Sequence, residues 1–273
     1  MEYLIALDLE GVHGVVGEPL EVSPYAIGVG TGQYEVAKAS AVAEVNRVVK
    51  ALFAGGATRV LVWDNHGARD NIDFSLVDSR AEKLVVDKTK PRLAFLSDYH
   101  FQGIVFIGYH SKAGAVNGNL AHTYNGMEIQ YVKLNGKQVG EFDIDSYIAG
   151  EYGVAPIFAA SDDVCVGQVR EHSPSTVTVI TKIGKGKRKA ELLDESVVLQ
   201  EIEKGVGEAM KKKIPPTKLS FPCEFEIRYS KMEMAEWKME ILSQQFEGLH
   251  YGEDGNTLCL TLDSIDALRG VFF

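Results

Sequence analysis

An α/β fold, with a mostly parallel sheet covered by helices and a smaller α+β lobe at the C-terminal end, is predicted by three features of this 273-residue chain. The runs "YLIALD", "TRVLVWD", "GIVFIGYH" and "VAPIFAASDD" are continuously apolar, which is how strands buried on both faces read. Helical stretches separate these runs, as crossover connections between parallel strands require. After Asp163 the texture changes to a more antiparallel mixture of strands and helices.

The first strand is "YLIALD". The stretch "YEVAKASAVAEVNRVVKALFAGGA" places apolar residues at helical spacing and stops at Gly55-Gly56, a helix C-terminal signal. The strands "TRVLVWD" and "GIVFIGYH" follow. "YVKLNGKQVGE" carries Asn135-Gly136 between two β-like runs, and both residues tolerate the positive φ of a tight hairpin turn. "FDIDSYIAGEYG" reads as a helix and "VAPIFAASDD" as one more strand. Beyond them, "STVTVITKIGKGKRKAE" gives a strand and then a basic loop. "AELLDESVVLQEIEKGVGEAMKKK" is an amphipathic helix closed by Ile214-Pro215-Pro216. The expected division is an α/β lobe over residues 1–163 and a C-terminal α+β lobe over residues 164–273.

Twenty-eight basic residues against 38 acidic ones leave a formal charge of −10. That balance argues against a nucleic-acid partner and against docking on an anionic membrane. The three cysteines, Cys165, Cys223 and Cys259, are far apart and form no C-x-x-C pair. They read as free thiols of a reducing compartment rather than a disulfide frame or zinc knuckle. No basic-then-apolar leader precedes Leu4, and no run approaches the ~18 apolar residues of a membrane span. The expected location is the cytoplasm.

The polar residues at the strand ends carry the chemistry. Asp8 and Glu10 close the first strand, and their alternate positions put both side chains on one face. Asp64, Asn65 and His66 close "RVLVW"; Tyr109 and His110 close "GIVFIG". The carboxyl ends of neighbouring strands in an open α/β sheet meet at one crevice, where ligands bind. Glu141 ends the second arm of the hairpin, directly before a helix, within reach of the same place. Taken singly, each has a plainer reading: a turn-forming Asp, a loop or core His, a helix-start Glu attracted by the macrodipole. Together they put three carboxylates and two imidazoles in one volume. Three such acids alone would raise one another's pKa, whereas two divalent cations would hold them ionised. Mixed His and carboxylate donors suit zinc, with manganese or iron as alternatives.

The ordered set "DLEGVHG", "VLVWDNHG", "IGYHSKAG", "LAHTY" and "LNGKQVGEFDIDSYIAGEYGVAPIFAASDD" resembles the D-aminopeptidase family of dinuclear zinc peptidases, over residues 1 to roughly 215. The resemblance implies two Zn²⁺ per chain, with Asp8 bridging them. It implies Glu10 and His66 on one metal, His110 and Glu141 on the other, and His122 as the catalytic histidine. The implied activity is removal of an N-terminal D-amino acid or glycine from short peptides or amides by metal-activated water. It also implies a large ring-shaped homo-oligomer, a decamer in the typical member.

Alternatives are a related metal-dependent amidase or L-specific peptidase, and, from another class, a nucleotide-binding α/β module. For the last, "GVGTGQ" has the spacing G-x-G-x-G rather than G-x-G-x-x-G, and no clear strand precedes it. Lys112 is a candidate partner for a substrate carboxylate, His13 a candidate pocket residue, and Asp162 and Asp163 candidate supports or helix caps. His100, His172 and His250 read as surface or packing residues.

Overall fold

Strand β1 (Glu2–Leu7) lies inside a seven-stranded sheet whose remaining members are β2 (Arg59–Asp64), β3 (Glu82–Lys83), β4 (Phe101–Ile107), β7 (Pro156–Asp162), β8 (Val177–Gly186) and β9 (Lys189–Leu192), numbered along the chain. Their order is β3-β2-β1-β4-β7-β8-β9. All pairings are parallel except that of β8 with β9. The computed structural model describes residues 1–22, 27–67, 70–87 and 89–272.

The chain winds outward from β1 to β2 and β3, then returns to pair β4 on the other side of β1. A crevice opens at such a reversal, at the carboxyl ends of the strands. Tyr3, Ile5 and Leu7 of β1 face one core with Val60 and Val62 of β2. Leu4 and Ala6 face the other with Leu61 and Trp63. This two-sided burial is why these strands read as unbroken apolar runs.

The first core is roofed by α1 (Gly32–Ala54) and α4 (Glu195–Ala209). Helix α1 ends as expected at Gly55, whose N–H bonds Ala51 O at 2.9 Å. On the second core lie α2 (Glu141–Glu151) and α3 (Asp163–His172). A five-stranded sheet packs with them, ordered β11 (His250–Tyr251), β12 (Thr257–Leu262), β10 (Cys223–Tyr229), β5 (Ile129–Leu134), β6 (Lys137–Val139). Helices α5 (Met232–Leu242) and α6 (Ile265–Phe272) complete the fold.

The sheets draw on both sides of residue 163. The β5–β6 hairpin, turning at Asn135-Gly136, joins the antiparallel sheet through β10. Strand β8 and helix α4, which come later in the chain, extend the parallel layer. One local reading changes: the stretch expected to be a basic loop after β8 is the tip of a hairpin, because Lys182–Gly186 pairs back with Lys189–Leu192.

Candidate metal centre

Three neighbouring strands deliver their C-terminal residues to one place because β1 lies between β2 and β4. Backbone bonds continue past the strand ends: Asp8 N to Ile107 O at 2.8 Å, Gly11 N to Gly108 O at 2.7 Å and Asn65 N to Leu7 O at 2.8 Å. The approach of the first and third segments leaves no room for side chains. A Cβ on Gly108 (φ +72°) would lie 2.0 Å from Asp8 O, and one on Gly11 would lie 2.1 Å from Tyr109 O. Only glycine fits at either position.

At this junction all five expected donors meet. His66 Nδ1 is 3.0 Å from Asp8 Oδ1 and 3.1 Å from Glu10 Oε2. His110 Nε2 is 3.0 Å from Glu141 Oε1 and 3.6 Å from Asp8 Oδ2. Asp8, Glu10, His110 and Glu141 are buried. Glu141 opens α2, where the helix N-terminus favours a carboxylate, and it also accepts Tyr124 N–H at 2.8 Å. The sixth residue, His122, arrives on the segment between β4 and β5. Its ring stacks on that of His110 with centroids 3.8 Å apart. Its Nε2 is 4.0 Å from Glu10 Oε1 and 3.9 Å from Glu141 Oε1.

The electrostatics are those of crowded, desolvated acids held by cations. Burial and the charge of Glu10 push Asp8 up to about 7. Burial also opposes ionisation of Glu10, yet the charge of His66 and its hydrogen bond hold that carboxyl well below the usual range. Glu141 is desolvated too, but neighbouring His110 holds it down to about 2. Burial works against charge on the two histidines, and the carboxylates overcome it. Glu10 and Asp8 push His66 up to about 12, and Glu141 foremost pushes His110 up to about 10. His122 moves the other way: burial and the cationic His110 beside it lower its pKa.

The donor set fits a divalent metal. His110 Nε2 is buried and faces only carboxylate oxygens, Glu141 Oε1 at 3.0 Å and Asp8 Oδ2 at 3.6 Å. Its Nδ1 lies 3.1 Å from Ser111 O, a carbonyl that can only accept, so Nδ1 keeps its proton and Nε2 is the nitrogen that would give up its proton to bind a metal. His122 follows the same rule, with Nδ1 2.8 Å from Leu120 O and Nε2 turned inward. Ligand atoms of Asp8, Glu10 and His110 lie within 4.8 Å of one another, as do those of His110, His122 and Glu141. Imidazole nitrogens mixed with carboxylate oxygens are a zinc donor set.

Other candidates fall elsewhere. Lys112 Nζ donates to Gln138 O at 3.1 Å, and the buried His13 has its ring Nε2 2.7 Å from Leu193 O. Asp162 caps α3 through Cys165 N and accepts Asn119 N–H at 2.7 Å, steadying the segment that carries His122. His172 is a packing residue, 2.8 Å from Asp143. The glycine-rich "GVGTGQ" meets α1, whose Gln33 N–H is taken by Glu18 Oε1 at 2.9 Å, so a carboxylate already sits where a phosphate would bind.

Two supports went unread in the sequence. Lys182 of β8 is fully buried, and its Nζ donates to Glu10 O (2.6 Å), Val12 O (3.0 Å) and Val15 O (2.5 Å). Three carbonyls match the three protons of an ammonium. Arg92 forms a buried two-point ion pair with Asp145, at 2.7 Å for each bond. The signal for Lys182 was a lone lysine within "VTVITKIG". Arg92, in "KPRLAF", had none.

Comparison with known proteins places these residues in context. The family model described as D-aminopeptidase matches residues 1–253. A D-aminopeptidase of Bacillus subtilis (strain 168) is 26% identical over 182 residues, 67% of this chain. The chain spans 64% of that relative's length. The solved structure of the Zn-dependent D-aminopeptidase DppA from Bacillus subtilis, described as a self-compartmentalizing protease, shares the fold with a TM-score of 0.84. That match is 22% identical and covers 99% of this chain and 96% of the other.

Proposed function

Because the chain belongs to the D-aminopeptidase family, we propose that it is a zinc-dependent aminopeptidase acting on short peptides or amino-acid amides with an N-terminal D-amino acid or glycine. The observation that carries this reading is the meeting of Asp8, Glu10, His66, His110 and Glu141 at the carboxyl ends of β1, β2 and β4 and the start of α2. Asp8 contacts both halves of the cluster through separate oxygens, as a carboxylate shared by two metals would. Glu10 and His66 would serve one metal, His110 and Glu141 the other.

Bound zinc would supply activation of water and polarisation of the scissile carbonyl. The remaining work falls to the chain. Asp8, Glu10 and Glu141 provide the negative charge that retains the metals. The buried setting strengthens every charge interaction at the reacting carbonyl. His122, with its Nδ1 proton engaged by Leu120 O and its pKa lowered, presents an unprotonated Nε2 at neutral pH. It can take a proton at Nε2 and return it to the leaving amine. His122→Ala is therefore expected to retain zinc while turnover falls by about 10²–10⁴-fold, the scale of a lost general base. Zinc loss in that variant would move His122 into the ligand set, which its distances to His110 and Glu141 also permit.

The decisive experiment is hydrolysis of paired D- and L-alanine dipeptides and amides, with and without a chelator, alongside metal analysis. Close to two zinc equivalents and chelator-sensitive turnover of the D-series are expected. A metal-free yet active protein overturns the site, and preference for the L-series overturns the assigned handedness.

The relative described as self-compartmentalizing supports assembly into a large homo-oligomer; the ten-membered ring we propose for it is what the family resemblance implies. Among the described residues no helix is long and apolar enough to cross a membrane. The free cysteines support a reducing, cytoplasmic setting.

A further inference from the structure

Beneath the metal cluster, four buried side chains close a ring of hydrogen bonds. Arg92 Nη1 donates to Asn65 Oδ1 at 2.7 Å, and Asn65 Nδ2 donates to Tyr109 Oη at 3.2 Å. Tyr109 Oη donates to Asp145 Oδ2 at 2.7 Å, and Asp145 returns to Arg92 through the two-point ion pair. Three of the four members each adjoin a different ligand. Asn65 precedes His66, Tyr109 precedes His110, and Asp145 lies one helical turn after Glu141 on α2. The guanidinium also sits over the Trp63 ring, 5.0 Å from its centroid, at the end of β2.

We propose that the Arg92–Asp145–Tyr109–Asn65 ring is a positioning device that fixes the three ligand-bearing segments from β2, β4 and α2 relative to one another. The proposal rests on the metal-centre reading above. None of the four touches the reacting atoms; they act through His66, His110 and Glu141. A planar guanidinium with donors in a fixed fork suits the task, because it sets direction as well as distance. The ring serves both halves of the cluster, since His66 belongs to one and His110 with Glu141 to the other. Loosening it should therefore weaken both metal-binding steps together.

Tyr109→Phe tests this with the least disturbance, removing one hydroxyl that joins Asn65 to Asp145. Thr176→Val is the control: it removes a buried hydroxyl that donates to Pro156 O at 2.7 Å, at the opposite end of the parallel sheet. The probe is zinc alone, titrated into the full-length metal-free protein against a chromophoric chelator, with thermal stability measured in parallel. Tyr109→Phe should raise both zinc dissociation constants by on the order of tenfold, at the lower end of what partners supporting metal ligands contribute. Thr176→Val should lose stability and keep the wild-type constants. Asp145→Asn should weaken zinc in the same sense, because it leaves Arg92 with a poorer partner. Wild-type constants in Tyr109→Phe, or an equal shift in the control, overturn the positioning role. A wild-type chain that binds no zinc fails at the earlier step and overturns the metal centre itself.

Discussion

Replacing Asp8 with alanine is expected to abolish turnover and release bound zinc without unfolding the protein. Asp8 turns one oxygen to His66 at 3.0 Å and the other to His110 at 3.6 Å, so it touches a histidine in each half of the cluster. Removing it disconnects both proposed metal sites. A fall in turnover of at least about 10³-fold is expected, equivalent to about 4 kcal/mol of lost transition-state stabilisation. The metal-free fold should respond in the opposite sense. Burial and Glu10 raise the Asp8 carboxyl to about 7, so between its unfolded pKa near 4 and about 7 the native state holds a proton that the unfolded state has released. Stability contributed by this group is complete at low pH and is lost as pH rises through about 7. At neutral pH an ionised Asp8 is thus a strain on the metal-free protein. Asp8→Ala should keep or raise its melting temperature in chelator while zinc content falls to background. Retained zinc with wild-type turnover would remove Asp8 from the centre, and a collapsed fold would show that its role is structural.

The second large effect belongs to Lys182. Lys182→Met should destabilise the protein by roughly 3–5 kcal/mol, because three buried carbonyls at Glu10, Val12 and Val15 lose their donor at once, each costing about 1–3 kcal/mol with partial relaxation. Unlike a buried ion pair replaced whole by apolar groups, the acceptors here remain. Burial lowers the Lys182 pKa to about 8. Between that value and the unfolded pKa near 10.4 the unfolded chain binds the extra proton, so stability rises with pH across this window. The rise should be absent from the variant. Burial of Glu44 raises its pKa to about 8 and acts oppositely below that pH, so the two windows are separable. Denaturant unfolding at pH 7, 8.5 and 10 checks both claims. An unchanged midpoint at pH 7 would make Lys182 dispensable to the loop that carries Glu10.

These two residues also mark what can and cannot be read from a sequence. Asp8, Glu10, His66 and His110 are legible because polar residues ending an apolar strand have few plain explanations, and parallel pairing gathers the ends of neighbouring strands. Glu141 is legible through the Asn135-Gly136 turn that precedes it. Lys182 is not, because alternation within a strand makes a lone lysine look solvent-facing, and β8 proves to be covered. Helix α3 starts at once after β7 with no turn residues between them, so nothing separates it from the strand. The hairpin β5–β6 is evident locally, but its partner β10 lies far along the chain and no local pattern names it. The Arg92 ring joins residues from four segments, and only folding makes them neighbours.

The close passage of Gly11 against Tyr109 O and of Gly108 against Asp8 O has an evolutionary corollary. A junction with no spare volume cannot drift by small steps, so descendants of this chain would inherit the spacing of its donors unchanged or lose it outright. Diversification is pushed outward, to exposed positions on either side of His122 such as Val116 and Met127, where composition can vary without disturbing that junction. Relatives should therefore differ in which molecules they admit while performing the same bond cleavage.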